Sequence, residues 1–227
     1  MTLQNKSGKT PCPHKDIKEN TPLSARQKTN SLDFEREMLQ KGYINIAGMD
    51  EVGRGCLAGP VCAAIVILPL AESDIIEGVK DSKALSKKAR EELYEIITAK
   101  AIFYAVVFKD NDFVDKVNIY NATKEAMQEC VKLAETADCV LVDAVKLTNC
   151  GKNVLSIIKG DQLSYLIAAA SIVAKVTRDR LMCQEAKKYP FYGFEKNVGY
   201  CTKEHVNALK EKGMCPLHRQ SFMKKVL

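Results

Sequence analysis

AGMDEVGRGCLAGPV, residues 47–61, joins two apolar runs through a glycine-rich turn. Asp50 and Glu51 stand side by side at the end of the first run, which reads as a strand. Gly53 and Gly55 let the backbone bend sharply and approach a ligand more closely than larger side chains allow. The same glycines are equally consistent with a tight turn alone. The segment therefore predicts a strand followed by two carboxylates, then a permissive turn and a second strand.

The elements outside this segment begin with strands and then alternate between helices and strands. This order favours an α/β layered fold with a mixed sheet. Strands are predicted at 44–49, 61–68, 101–108, 139–142 and 154–158, and helices at 32–43, from Ser86 to about 97, and at 121–135, 162–186 and 203–212. Ser31, Ser86 and Asn121 are the predicted N-caps, while Gly42 and Gly213 are the predicted helix ends.

Charge is unevenly distributed along the 227 residues. Residues 1–31 are polar, contain proline and show no periodicity, which predicts a disordered basic tail of charge +4. Residues 32–227 are long enough for one folded domain. Within that domain, residues 175–227 carry +7 and residues 32–174 carry −5. An acidic centre beside a basic C-terminal segment fits a cation site next to a polyanion site, although solvated faces give the same sum.

The nine cysteines form no CxxC pair, which argues against zinc knuckles and thioredoxin-type redox motifs. We expect them to be reduced and mostly buried in a cytoplasmic protein. The longest apolar stretch, residues 57–71, is too short to cross a bilayer and contains two prolines. The polar N-terminus predicts no signal peptide. We therefore expect no membrane association.

Four acids, Asp50, Glu51, Asp143 and Asp179, stand at or within apolar segments. Asp143 ends the strand predicted at 139–142, and Asp179 lies on the apolar stripe of the longest predicted helix. Converging carboxylates form an oxygen-rich site for a hard divalent cation. Each acid can instead be a turn residue or a helix cap, and Asp179 can pair with a neighbouring lysine or arginine. The pattern alone leaves both readings open.

Six motifs occur in a fixed order between about Phe34 and Phe222. They are GMDEVGRGCLAGPVCAAIVIL, KDSKALS, NIYNATKEAM, LVDAVKL, IIKGD…SIVAKVTRDRLM and GYCTKEH…HRQSF. This set resembles bacterial ribonuclease HII, of the type 2 ribonuclease H family. The resemblance implies a ribonuclease H-like fold for residues 32–227, with a mixed central sheet flanked by helices and a helical C-terminal segment.

The resemblance also implies an activity, a cofactor and a substrate. The implied enzyme hydrolyses the RNA strand of RNA–DNA hybrids. It also cleaves on the 5′ side of single ribonucleotides embedded in duplex DNA, leaving 3′-hydroxyl and 5′-phosphate ends. Two Mn²⁺ or Mg²⁺ ions are expected at the active site with substrate bound. The implied protein is a cytoplasmic monomer that acts in DNA replication and ribonucleotide excision repair.

Residue by residue, the resemblance extends to positions of this chain. It places the catalytic, metal-binding acids at Asp50, Glu51, Asp143 and Asp179, the ribonucleotide-reading loop at Gly53, Arg54 and Gly55, the sugar-sensing tyrosine at Tyr200, and a backbone-contacting element at Ser82 and Lys83. Two positions depart from the family pattern, because Cys56 replaces a usual proline and Ala144 a usual glycine. Both departures concern local backbone geometry rather than the chemistry.

Three other functions remain open on the sequence. A non-catalytic nucleic-acid-binding module would use the basic segment and Tyr200, with the acids serving only as caps. Another ribonuclease H-like nuclease would share the metals and act on DNA junctions. Ribonuclease HIII resembles this family in fold but has a folded N-terminal domain and a different residue between the two glycines. Arg54 and the polar tail argue against ribonuclease HIII.

Overall fold

The structure is a computed structural model that describes residues 2–5, 32–79, 85–148 and 150–224. Its strands are β1 (Thr2–Asn5), β2 (Ile46–Val52), β3 (Val61–Ile67), β4 (Phe103–Lys109), β5 (Cys139–Asp143) and β6 (Asn153–Ile157). Its helices are α1 (Asp33–Gln40), α2 (Lys87–Lys100), α3 (Asn111–Val117), α4 (Ile119–Leu133), α5 (Gly160–Leu163), α6 (Tyr165–Lys188), α7 (Phe194–Asn197), α8 (Lys203–Lys212) and α9 (Gln220–Met223). The predicted α/β fold with a mixed sheet is confirmed.

One mixed sheet with the order β1-β4-β3-β2-β5-β6 forms the centre of the fold. Strand β2 pairs antiparallel with β3 and parallel with β5. In the parallel pair Met49 lies opposite Val142. Asp50 and Asp143 each follow one of these two residues, so the pairing brings both acids to the same end of adjacent strands.

The acids at the end of β2 lie within the strand, not after it as predicted. Asp50 is opposite Ala64 and Glu51 is opposite Ala63, because pairing with β3 extends β2 through Val52. Residues 44–49 are predominantly apolar and the two acids are not, so a prediction from composition places the end of the strand too early.

Helices cover both faces of the sheet. Helix α6 packs against β2 and β3 on one face, and α4 packs on the other. Gly48 allows α6 to approach closely, since a Cβ at this position would lie 2.0 Å from the Leu166 carbonyl carbon. Asp50 shares the face of Gly48, because alternate strand residues point to the same side. The sheet therefore presents Asp50 to helix α6.

Two predicted helix boundaries are wrong. Helix α4 begins at Ile119, and its cap is Asn118, whose side chain accepts a hydrogen bond from the N–H of Asn121 at 3.0 Å. The helix predicted at 162–186 is divided into α5 and α6 by Ser164, whose hydroxyl caps α6 at Ile167 N. Capping at Ser86 and the end of α8 at Gly213 are confirmed. Ser31 lies outside the described residues.

The C-terminal helices form a separate layer that packs on the glycine-rich turn. Their apolar core includes Tyr192, Phe194 and Leu209. Two isolated bridges connect this layer to the turn, pairing Cys56 with Tyr200 and Ala58 with His218. The C-terminal segment is thereby held against the loop that follows Glu51 and Val52.

The N-terminal residues 2–5 differ from the predicted disordered tail. They form β1, which pairs antiparallel with β4, with Thr2 opposite Val107, and so becomes the edge strand of the sheet. Main-chain pairing with a sheet edge requires no apolar composition, so a composition argument misses it. Residues 6–31 lie outside the described residues. None of the helices in the described ranges is long and apolar enough to cross a bilayer.

Candidate active site

Three acids meet where β2 and β5 end. Asp50 is only 6% exposed, and burial raises the pKa of its carboxyl well above the ordinary value. The charges of Glu51 and Asp143 raise this pKa further. Hydrogen bonds from the Ser171 side chain and from the Glu51 N–H, at 2.8 Å, oppose the shift. Three mutually repelling carboxylates, one buried and two half-buried, are the arrangement that a cation would stabilise.

Glu51 leaves one carboxylate oxygen without a partner. Its Oε1 accepts a hydrogen bond from Arg54 Nη1 at 3.1 Å, which opposes the pKa increase caused by burial. Its Oε2 is buried and has no hydrogen-bond partner within the described residues. An unsatisfied buried carboxylate oxygen next to two other acids fits a hard divalent cation.

The three acids are close together without being arranged around a single point. Within the described ranges, no three Asp, Glu, His or Cys side chains already form a cluster that could hold a metal ion. The donor set fits such an ion, because carboxylate oxygens are the preferred ligands of Mg²⁺ and Mn²⁺.

Asp143 is held by the chain that follows β6. Its Oδ1 accepts a hydrogen bond from the N–H of Gly160 at 2.7 Å. The next residue, Ala144, has a φ of 48°, in the left-handed region that favours glycine. An alanine there costs about 1–2 kcal/mol relative to the right-handed conformation. The departure at Ala144 thus strains the backbone directly after Asp143.

Asp179 does not join the three acids. Its Oδ1 accepts a hydrogen bond from Lys175 Nζ at 2.9 Å, the pairing that the sequence left open. Ser171 and Lys175 line the cleft, and together with Asp179 they follow one another at intervals of four on α6. The helix therefore presents a hydroxyl, a cation and an acid on one face.

Asp161 is a buried acid that the sequence analysis missed. It is 2% exposed and directly follows Gly160, the residue that binds Asp143. The signal was present in IIKGD, where an acid follows a predicted strand as Asp143 follows its own. Three residues separate the end of β6 from Asp161, so this acid does not follow its strand directly as Asp143 follows its predicted strand.

An open cleft of about 520 Å³ joins the acids to the predicted sugar-reading residues. Its lining is Asp50, Glu51, Val52, Gly53, Arg54, Gly55, Arg90, Asp143, Ser171, Ile172, Lys175 and Tyr200. Asp161 and Asp179 do not line the cleft. Ser171 and Lys175 were not predicted as site residues. Ser82 and Lys83 lie outside the described residues.

Tyr200 is held at the cleft from two sides. Its side chain hydrogen-bonds that of Cys56, and Lys175 Nζ lies 5.3 Å from its ring centroid. The residue remains 37% exposed. Burial raises the pKa of both the Tyr200 hydroxyl and the Cys56 thiol, so both keep their protons at neutral pH. Cys56 thus takes part in positioning Tyr200.

A buried histidine pair supports the main chain at Tyr200. His205 Nδ1 lies 2.9 Å from the Tyr200 carbonyl oxygen, and His205 Nε2 lies 3.0 Å from His218 Nε2. The N–H of Cys215 donates to His218 Nδ1 at 2.9 Å, so His218 uses its Nε2–H to donate to His205. Burial lowers the pKa of both imidazoles, that of His218 to about 4.

This pair predicts a pH dependence of stability. His218 stays neutral in the folded protein down to about pH 4, whereas in the unfolded chain it binds a proton near pH 6.5. The free energy of unfolding should therefore fall as the pH drops through this window, by about 3 kcal/mol for His218. Denaturant unfolding of wild type and His218→Gln between pH 4 and 7 measures it. The difference between the two curves isolates His218 from the acids, whose raised pKa values act in the opposite direction. Parallel curves would contradict the expectation.

Comparison with known proteins identifies the relatives of this chain. A family model described as ribonuclease HII matches residues 47–225. Ribonuclease HII of Ruminiclostridium cellulolyticum is 53% identical over 194 residues, which cover 85% of this chain and 75% of that protein.

Solved structures give a similar result for the fold. RNase HII of Archaeoglobus fulgidus, solved in a complex with PCNA, has a TM-score of 0.68 and 28% identity, covering 79% of this chain and 95% of that one. The structure of Bst-RNase HIII in complex with Mn²⁺ has a TM-score of 0.56 and 20% identity, covering 75% of this chain and 63% of that one. The second likeness concerns the fold alone.

Proposed function

The chain belongs to the ribonuclease HII family of endonucleases, and we propose that it cleaves RNA within RNA–DNA hybrids and on the 5′ side of single ribonucleotides in duplex DNA. The predicted family and ribonuclease H-like fold are confirmed. One observation supports the proposal most strongly. A single cleft is lined by three neighbouring acids, the glycine loop at 53–55 and the partly exposed Tyr200.

Asp50, Glu51 and Asp143 are proposed to hold Mn²⁺ or Mg²⁺, since ribonucleases H depend on divalent metal ions. Two such ions, when bound, would activate a water molecule and stabilise the leaving 3′ oxygen. The protein's own groups orient the carboxylates for this task. Ser171 and the Glu51 N–H hold Asp50, and Arg54 holds one oxygen of Glu51.

We infer that Asp161, rather than Asp179, is the fourth acid of the site. Asp161 is buried next to the residue that fixes Asp143. Asp179 is engaged by Lys175, whose ammonium group lies in the cleft. Asp179 then acts on the reaction by positioning a cation beside the substrate.

The ribose is proposed to be recognised between the loop and Tyr200. Stacking on an aromatic ring contributes about 1–3 kcal/mol, so Tyr200→Ala should lower cleavage at a lone ribonucleotide by roughly 5- to 150-fold. Tyr200→Phe keeps the stacking and loses only the hydroxyl, which predicts an intermediate defect. Initial rates on a duplex with one ribonucleotide measure both, with Mn²⁺ affinity as the control. Equal rates for all three proteins would remove Tyr200 from recognition.

A requirement for metal and the chemical groups at the ends of the products distinguish an enzyme from a binding module. We expect a labelled RNA–DNA hybrid to be cut in Mn²⁺ or Mg²⁺ and to remain intact in EDTA. The products should carry 3′-hydroxyl groups that a DNA polymerase extends, and 5′-phosphates that a phosphatase removes. Binding that survives EDTA without any cleavage in metal would favour the non-catalytic module instead. A monomeric state, a cytoplasmic location and substrate contacts at Ser82 and Lys83 stay predictions.

A further inference from the structure

Two arginines lie fully buried beneath the glycine-rich turn. Arg178 on α6 and Arg219 before α9 both have 0% exposure. Neither forms an ion pair with a carboxylate in the described part of the chain. A buried cation without a counter-ion is costly unless its donors are satisfied. The burial of these two cations therefore requires a structural explanation.

Main-chain carbonyl groups satisfy both guanidinium groups. Arg178 donates to the carbonyl oxygens of Pro60, Val198 and Ala58, at 2.9, 2.8 and 3.1 Å. The carbonyls thus replace a carboxylate as the partners of this cation. They also connect helix α6 to the second half of the turn and to the segment before Tyr200.

Arg219 binds the first half of the turn. Its Nη1 donates to the Arg54 carbonyl oxygen at 3.1 Å, and its Nη2 donates to that of Gly53 at 2.8 Å. Its Nε and Nη2 both donate to the Gly59 carbonyl oxygen, at 3.0 and 2.8 Å. Only the planar guanidinium fork offers this many fixed donors, since an ammonium group carries three on a single atom.

These contacts fix the direction of two N–H groups. The described residues contain no cis peptide bond, and in a trans peptide the N–H points opposite to the C=O. Since Arg219 draws the Gly53 and Arg54 carbonyls towards the interior, the N–H groups of Arg54 and Gly55 point away from it, on the side of the cleft. Neither N–H donates a hydrogen bond within the described residues.

Gly53 and Gly55 are glycines for different structural reasons. Gly53 has a φ of +91°, and a Cβ there would lie 2.3 Å from Arg178 Nε. Internal packing therefore explains Gly53. A Cβ on Gly55 would meet nothing within 4 Å, so the folded protein by itself does not require glycine there. Space above Gly55 that the protein leaves empty suits a closely approaching ligand.

We propose that Arg219 is a positioning residue for ribonucleotide recognition. By holding the carbonyls of Gly53 and Arg54, it presents the N–H groups of Arg54 and Gly55 as donors to the 2′-oxygen of the ribose. This role rests on the proposed function, since it requires a substrate in which one 2′-hydroxyl is recognised.

Arg219→Lys tests this role, with Arg178→Lys as the matched control. Both variants keep a positive charge in a fully buried position. Of the two arginines, Arg219 alone binds the carbonyls of Gly53 and Arg54 in the described part of the chain. The measurement is the affinity, in EDTA, for two duplexes that differ by a single 2′-hydroxyl. The preference is the affinity for the ribonucleotide duplex divided by that for the all-DNA duplex. We expect Arg219→Lys to lower this preference by about tenfold, the effect of losing two hydrogen bonds. Where the wild-type preference is smaller than that, the variant's preference should fall to one. Arg178→Lys should keep the wild-type ratio.

The outcomes distinguish a failure of the proposed function from a failure of the proposed role of Arg219. If wild type does not distinguish the duplexes, the proposed function fails. If wild type distinguishes them and Arg219→Lys does so equally well, or if Arg178→Lys loses the preference to the same extent, only the role of Arg219 is overturned. If Arg219→Lys does not fold, amide hydrogen exchange of wild type decides. The ribonucleotide duplex should slow exchange at Arg54 and Gly55 and the all-DNA duplex should not, whereas equal slowing would overturn the proposal.

Discussion

Asp50→Asn is expected to abolish cleavage at a single ribonucleotide while leaving the fold intact. The amide is nearly isosteric with the carboxylate but lacks the charge that a hard cation needs. Loss of a shared ligand removes several kcal/mol of transition-state stabilisation, so the rate should fall by about a thousandfold or more. Single-turnover rates in Mn²⁺ measure the change. A rate above about a tenth of wild type would exclude Asp50 from the metal site.

The same substitution should stabilise the metal-free protein. The raised pKa of Asp50 means that its contribution to stability is complete only below the ordinary carboxyl pKa and is lost as the pH rises through the raised value. At neutral pH the buried Asp50 therefore destabilises the metal-free fold relative to the unfolded chain, and an amide removes that cost. Thermal unfolding in EDTA should give a higher Tm for Asp50→Asn near pH 7, with the gain disappearing near pH 4. Mn²⁺ should raise the Tm of wild type far more than that of the variant. A lower Tm for the variant at every pH would contradict this account of Asp50.

Asp161→Asn and Asp179→Asn are expected to differ strongly in activity. Asp161 is buried beside the chain that fixes Asp143, so its amide variant should lose activity by about a hundredfold or more, as expected for a metal-site acid. Asp179 is paired with Lys175, and an i,i+4 pair of this kind contributes less than about 1 kcal/mol. Asp179→Asn should then lower activity by less than about tenfold.

Cleavage rates in Mn²⁺ and circular dichroism spectra of both variants test this contrast. The two variants serve as controls for each other, because both replace one aspartate by its amide within the same domain. Full loss of activity in Asp179→Asn, together with an active Asp161→Asn enzyme, would restore the fourth acid that the sequence predicted.

The sequence predicted most of the secondary structure because apolar periodicity and capping residues act locally. Ser86 and the stop at Gly213 illustrate this, since each is determined by neighbouring residues. The approach of Asp50 to Asp143 is different. It depends on the parallel register of β2 and β5, which joins residues 93 positions apart and leaves no local pattern.

The proposed replacement of Asp179 by Asp161 as the fourth acid illustrates the limit of a helical stripe as a guide. Asp179 shares a spacing with apolar residues, yet a lysine one turn earlier satisfies it at the edge of the buried face. Asp161 carries no periodic signal, because it lies in a four-residue helix after a short turn. On this proposal, an acid that follows a strand is a better guide to the metal site than an acid on a helical stripe.

The basic C-terminal segment shows a similar limit for charge counting. Its +7 charge includes Arg178 and Arg219, which the fold buries completely. These two charges bind main-chain carbonyls of residues 53–60 and 198, not an external polyanion. Net charge predicts a partner only where the charged groups remain exposed, and burial is not visible in composition.

Two duplexes of identical sequence that differ by one 2′-hydroxyl decide whether the cleft is a ribonucleotide-specific nuclease centre. In Mn²⁺ we expect the protein to cut the duplex that carries the ribonucleotide once, on the 5′ side of that ribonucleotide, and to leave the all-DNA duplex intact. EDTA should abolish the cut. Cleavage of both duplexes, or of neither in the presence of metal, would contradict the claim that this cleft joins a metal-dependent nuclease centre to a ribose-reading loop.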